Sequence, residues 1–119
     1  MKQVLIVDDS PVIVSRLKSL LAGLPGLDPI LDAGTYADAV AILAERSPQI
    51  VLLDINLPDR NGIELLRYVG EKYPSIIMII ISNQSSEFYK NICRRLGAVH
   101  FIDKSIEFDQ VPAILSAYL

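Results

Sequence analysis

A chain of 119 residues, 51% hydrophobic, with a formal net charge of -3, has the size and composition of one domain with its own core, and we take residues 1–119 as that single domain. The charge excludes the basic field that nucleic acid or an anionic membrane would require. A lone cysteine, Cys93, excludes an intrachain disulfide and fits a reducing cytoplasm; the first residues lack the apolar stretch and cleavage site of a signal peptide, and no apolar run approaches the ~20 residues of a membrane span.

Strand-like and helix-like patterns alternate five times. Residues 3–7 form a short segment that is continuously apolar from Val4 to Val7, as expected of a strand covered on both faces. Ser10 and Pro11 then predict an N-cap and a first helical position, and Val14, Leu17, Leu21 and Leu24 recur at helical spacing until Pro25-Gly26 breaks the pattern. Leu27 to Ala33 reads as a weaker strand, polar at Asp28 and Asp32, which suits a sheet edge.

Thr35 with Asp38 resembles a capping box, and Tyr36, Val40 and Leu43 give the second helix a core face. Ser47-Pro48 punctuates before a third strand at 50–53. Asn61 with Glu64 repeats the capping pattern, followed by Leu65, Leu66 and Val69. A fourth strand is expected at 76–81. Ser85 or Ser86 then caps a helix through Tyr89, Ile92 and Leu96 that stops at Gly97. The fifth strand is expected at 99–102, and Ser105 is expected to cap a last helix whose inner face carries Val111, Ile114, Leu115 and Tyr118.

This alternation predicts an α/β fold, a parallel sheet with helices on both faces and right-handed crossovers. The three most apolar strands, the first, third and fourth, should be central, and the order 2-1-3-4-5 satisfies that. Ligands bind such sheets at the C-terminal strand ends, near the point where strand order reverses. Asp8 and Asp9 close the first strand, Asp54 the third and Ser82 the fourth, and Lys104 follows the fifth. One sheet edge thus collects three carboxylates, a hydroxyl and an ammonium.

Three clustered carboxylates repel, and a hard divalent cation such as magnesium relieves the repulsion. A lysine pairs with phosphate, a hydroxyl donates to it, and an aspartate can itself form an aspartyl-phosphate. Taken singly, each residue has a plainer reading: the Asp-Asp pair as a loop or cap, Asp54 and Ser82 as turn residues, Lys104 as a solvated charge. Their joint placement after four separate strands is what those readings leave unexplained. His100 lacks a Cys or His at metal-binding spacing and reads as structural or partly exposed, Cys93 as a small core or surface residue, and Arg94-Arg95 as a solvated face. Gly23, Gly26 and Gly34 do not form a phosphate-binding fingerprint.

The motifs Val-Asp-Asp-Ser at 7–10, Leu-Leu-Asp-Ile-Asn-Leu-Pro at 52–58, Asn-Gly-Ile-Glu-Leu-Leu at 61–66, Ile-Ser at 81–82, Gly-Ala at 97–98 and Phe-Ile-Asp-Lys-Ser at 101–105 resemble the receiver domains of two-component response regulators over the whole chain, in the manner of the single-domain chemotaxis regulators. The resemblance implies a flavodoxin-like (βα)5 fold with strand order 2-1-3-4-5. It implies Asp54 as phosphoacceptor, and Asp8, Asp9, Asp54 and the backbone carbonyl of Asn56 as the Mg2+ ligands. Lys104 would be the phosphate-contacting lysine, Ser82 the switch hydroxyl and Phe101 the switch aromatic. Asn56 and Gln84 fall at positions that influence the lifetime of the phosphate.

The implied activity is no enzymatic turnover of a substrate beyond the domain's own Mg-dependent phosphorylation and dephosphorylation. The implied partners are a histidine kinase or histidine phosphotransfer protein, and a downstream protein, a fused output domain or a phosphorylation-dependent homodimer. Neither nucleic acid nor membrane is bound directly by this domain. The implied output face runs over the fourth helix, fifth strand and fifth helix, near Ser86, Lys90, Arg94, Phe101, Gln110 and Tyr118.

Several positions depart from the commonest pattern. Ser82 replaces threonine, Asn83 stands where a small residue is common, Ser105 replaces a proline, and Phe101 lacks a tyrosine hydroxyl. Two rival readings remain at this point. One is a phosphorylation-independent interaction module on the same fold, which has no need for all five polar residues. The other is a haloacid-dehalogenase-type phosphatase, which usually has an Asp-x-Asp motif after the first strand and a longer chain.

Overall fold

The structure, a computed structural model, describes residues 2–119. Five strands, β1 (Lys2–Val7), β2 (Leu27–Ala33), β3 (Ile50–Leu53), β4 (Ile77–Ser82) and β5 (Ala98–Asp103), alternate with five helices, α1 (Pro11–Leu21), α2 (Tyr36–Glu45), α3 (Gly62–Lys72), α4 (Glu87–Arg95) and α5 (Val111–Ser116). All strand pairings are parallel, in the order β2-β1-β3-β4-β5. The three most apolar strands are central and the polar β2 is an edge, as their sequences predict.

Alternation along the strands divides the interior into two cores. Leu5, Val7, Val51, Leu53, Met78 and Ile80 meet Ala39, Leu43, Leu65, Leu66, Val69 and Cys93 from α2, α3 and α4. Val4, Ile6, Ile50, Leu52, Ile79 and Ile81 meet Leu17 and Leu21 of α1 and Val111 and Leu115 of α5 on the opposite face. A strand buried on both faces needs apolar residues at every position, which is why these strands read as unbroken runs. Leu52 is 1% exposed in the middle of the sheet. Leu52→Ala is therefore expected to cost about 2–5 kcal/mol, read as a fall in the urea midpoint at unchanged slope.

The first three helix starts follow their caps. Ser10 Oγ accepts the Ile13 N–H at 3.3 Å, Thr35 Oγ1 the Asp38 N–H at 3.0 Å, and Asn61 Oδ1 the Ile63 N–H at 2.8 Å. Ser86, rather than Ser85, caps α4 by accepting the Tyr89 N–H at 3.4 Å. Gly97, at φ +107°, turns the chain into β5 in a region that favours glycine.

Two expectations need correction. Glu64 does not complete a capping box, because its carboxylate instead accepts from Arg60 Nε at 3.3 Å. Ser105 does not cap the last helix. A 3-10 turn, Phe108–Gln110, intervenes, and α5 begins at Val111. Pro112 lacks an N–H and fits only a first helical turn, which sets that start, while the Ser105 hydroxyl is bonded to Asp103 at 2.6 Å.

Candidate functional site

Asp8 and Asp54 each extend the ladder one residue beyond their strand. The Asp8 N–H donates to the Ala33 carbonyl at 3.0 Å and the Asp54 N–H to the Val7 carbonyl at 2.9 Å. These bonds place both carboxylates where strand order reverses between β1 and β3. Asp8 Oδ1 then accepts the Ser10 N–H at 2.9 Å, so the same carboxylate helps launch α1.

Lys104 enters from the far side of the sheet. Its Nζ lies 2.7 Å from Asp8 Oδ2 and 3.2 Å from Asp54 Oδ2, and all three side chains are largely buried. One carboxylate oxygen from each of Asp8, Asp9 and Asp54 lies within 4.8 Å of the others. Such a hard-oxygen cluster suits a divalent cation, and with Asp9 exposed it remains open on one side. A cleft of ≈ 670 Å³ between α1 and the end of β2 runs up to Asp8 and Asp9.

Burial pushes the Asp54 carboxyl above its usual range. Lys104 opposes that push by charge and hydrogen bond, whereas the Asp8 charge adds to it. For Lys104, burial works to lower the ammonium pKa, but the hydrogen bond to Asp8 and the charges of Asp54 and Asp8 outweigh it, and the net direction is upward. The cation is thereby fixed in its charged form beside two carboxylates.

Ser82 and Phe101 lie outside this contact set. Ser82 is fully buried at the end of β4, and its Oγ accepts the Gln84 N–H at 3.0 Å. Phe101 is half-buried in β5, packed toward the α2–α3–α4 core and lining a cleft of ≈ 280 Å³ with Cys93, Arg94 and Glu107. Asn56 is exposed, its N–H donating to Asp54 Oδ1 at 3.4 Å. His100 is exposed and stacks edge-on against Tyr118, away from the carboxylates.

Three supporting residues, Asp59, Gly62 and Asp103, escaped sequence reasoning. Asp59, in the loop after Asp54, accepts the N–H groups of Tyr36 at 2.8 Å and Ala37 at 3.1 Å, tying that loop to the start of α2. Gly62 donates its N–H to the Ile55 carbonyl at 2.6 Å, and a β-carbon there would sit 2.8 Å from Ile55 Cα. The Asn61-Gly62 pair was the one available signal for that tight passage.

Asp103, next to Lys104, is held down to about 2, first by the Ser105 hydroxyl and then by the Ser85 hydroxyl and the Ser105 N–H. A carboxyl lowered on folding stabilises the fold above its unfolded value near ~3.9, and that contribution is lost as pH falls toward 2. Asp103→Asn is accordingly expected to flatten the acid limb of the stability curve between those values, measured as the thermal midpoint against pH.

Comparison with known proteins agrees with this architecture. The response regulator receiver domain family matches residues 4–116. The chain is 34% identical to the DNA-binding transcriptional activator DevR/DosR of Mycobacterium tuberculosis over 90% of this chain and 49% of that protein. It is 33% identical to the transcriptional regulatory protein MalR of Bacillus subtilis over 99% of this chain and 50% of that protein. The chain thus spans about half the length of these curated relatives. Among solved structures, the response regulator domain of Thermotoga maritima CheB superposes with a TM-score of 0.85 at 31% identity, covering 99% of this chain and 92% of that one. A CheY-like receiver domain protein of Methanospirillum hungatei gives 0.86 at 27% identity, over 98% and 93%. From the sheet order, the cluster at its switch point and this match along almost its whole length, the chain belongs to the response regulator receiver domains of two-component signalling.

Proposed function

We propose that this receiver accepts a phosphoryl group on Asp54 from a phosphohistidine of a kinase or phosphotransfer protein. The observation that carries the reading is the Lys104 ammonium, 2.7 Å from Asp8 and 3.2 Å from Asp54, on the buried side of the three-carboxylate cluster. An Asp54 oxygen attacks phosphorus, the P–N bond breaks, and the departing imidazole nitrogen takes up a proton. Water later cleaves the acyl phosphate to regenerate Asp54 and release inorganic phosphate. Lys104 neutralises charge on the phosphoryl oxygens throughout. Asp8, Asp9, Asp54 and the Asn56 carbonyl would hold Mg2+, which supplies further charge neutralisation when bound.

The switch that follows rests on Ser82 and Phe101. Ser82 leaves the Gln84 N–H for the phosphoryl group, Phe101 changes its packing, and the α4–β5–α5 face favours one arrangement. That face would control a downstream protein, a fused output domain or a second copy of the chain. Residues 1–119 are read as one domain acting in the cytoplasm, and none of its described helices is long and apolar enough to cross a membrane.

The test is intact-mass measurement after incubation with acetyl phosphate, with and without magnesium. A labile single phosphoryl adduct that requires magnesium is expected. Absence of an adduct from both acetyl phosphate and a phosphorylated histidine kinase would overturn the reading. Sustained hydrolysis of a phosphate ester would favour the phosphatase alternative instead.

A further inference from the structure

The acidic pocket accounts for what Lys104 touches but not for what keeps its ammonium there. A lysine stem is flexible, and this one follows the last residue of an edge strand. The groups of Asp103 converge on the backbone around it. Asp103 Oδ1 accepts the Ser105 N–H at 2.8 Å and the Ser105 hydroxyl at 2.6 Å, closing a turn with Lys104 at its centre. The Asp103 carbonyl accepts the N–H groups of Ile106 at 3.3 Å and Glu107 at 2.8 Å. Its own N–H donates to Glu107 Oε1 at 3.1 Å. The Lys104 N–H, in turn, is held by the Ser82 carbonyl at 3.1 Å.

These bonds do not cap a helix, since α5 starts only at Val111. Nor is Asp103 part of the three-carboxylate cluster. It is 7% exposed, and its polar groups are satisfied within this loop and by the Ser85 hydroxyl across from it.

We propose that Asp103 is a positioning residue, whose carboxylate folds residues 103–105 into a turn that aims the Lys104 ammonium at Asp8 and Asp54. In the reaction this rests on the reading of Asp54 as phosphoacceptor. Without the turn, Lys104 is still present and charged but spreads over several rotamers. Contact with a phosphoryl group weakens, while Asp8 and Asp54 lose a competing positive charge, so their affinity for a cation does not fall.

The experiment compares the wild type with Asp103→Ala, Asp103→Asn, Ser105→Ala, Lys104→Met and the Asp103→Ala/Lys104→Met double variant. It reads the rate of phosphoryl adduct formation from acetyl phosphate, magnesium affinity by calorimetry, and the thermal midpoint. Asp103→Ala is expected to slow adduct formation about 10-fold or more, in keeping with the sensitivity of such steps to sub-ångström misplacement. Asp103→Asn keeps an acceptor oxygen and is expected to recover most of the rate. Magnesium affinity stays at or above the wild-type value, because the freed ammonium no longer competes for Asp8 and Asp54. In the Lys104→Met background, Asp103→Ala adds no further slowing.

Wild-type rates in Asp103→Ala would overturn the proposal. So would equal slowing in the Lys104→Met background, or a loss of magnesium affinity in step with the rate. Ser105→Ala removes only the hydroxyl arm and is expected to fall between wild type and Asp103→Ala. It carries the test if Asp103→Ala does not fold, and an unchanged rate in it then overturns the proposal. No adduct on the wild type removes the reading of Asp54 and this proposal together, whereas a normal wild type with normal variants removes this proposal alone.

Discussion

Asp54→Asn is expected to abolish the phosphoryl adduct completely while making the magnesium-free protein more stable at neutral pH. The first effect follows from the lost nucleophile, since an amide oxygen does not form the acyl phosphate. The second follows from the charge balance. Burial and the Asp8 charge raise the Asp54 carboxyl in the fold despite Lys104, so ionising it opposes folding. Its sign is that of a carboxyl bound more tightly to its proton in the folded state than in the unfolded one. Wild-type stability without magnesium therefore falls as pH rises from the unfolded value through the folded one. Asparagine keeps an acceptor for the Asn56 N–H and for Lys104 without that cost, so the variant should lack this fall. Thermal midpoints of both proteins across pH, without metal, read the difference directly. Magnesium should raise the wild-type midpoint by mass action and raise that of the variant less. A variant less stable than wild type at neutral pH would show that the Lys104 pair outweighs burial.

Gly62→Ala is expected to destabilise the protein by ~3 kcal/mol, at the top of the usual overpacking range, and to slow phosphorylation as well. The added methyl would lie 2.8 Å from Ile55 Cα and 2.9 Å from the Ile55 carbonyl oxygen, and closer still to the Asp54 carbonyl oxygen. All three atoms are backbone, so no side-chain rotation relieves the clash. The first turn of α3 must lift away, or the segment carrying Asp54 must move. Either displaces the carboxylate from Lys104. Gly23→Ala is the matched control, because a methyl there meets nothing within 4 Å. Urea midpoints and adduct rates of the two variants separate crowding from the general effect of replacing glycine.

The sheet was legible because both of its faces are covered. Ile50-Val51-Leu52-Leu53 has no polar position to misread, and four strand ends pointed to one edge. The carboxylate cluster followed from that edge alone. Helix boundaries were less legible where local and distant partners compete for one side chain. Glu64 reads as part of a capping box, yet Arg60, four residues earlier, takes its carboxylate. Ser105 reads as a cap, yet Asp103, two residues before it, is a charged acceptor already in reach. Asp59 carries no local signal for its role, since the α2 N–H groups that it ties down lie 22 and 23 residues away in sequence. Such residues become visible only when the chain is folded, because their partners are adjacent in space and not in pattern.

Cys93 has a practical consequence. It is the only cysteine of the chain, it lies 1% exposed on the inner side of α4, and burial raises its thiol pKa. Although it borders the cleft beside Phe101, its 1% exposure keeps a thiol-reactive reagent from its sulfur until α4 shifts away from the sheet. The labelling rate of the unmodified protein thus counts the openings of the very helix on which the proposed output depends. The chain carries its own clock for that motion, with no reporter to engineer and no other thiol to mask.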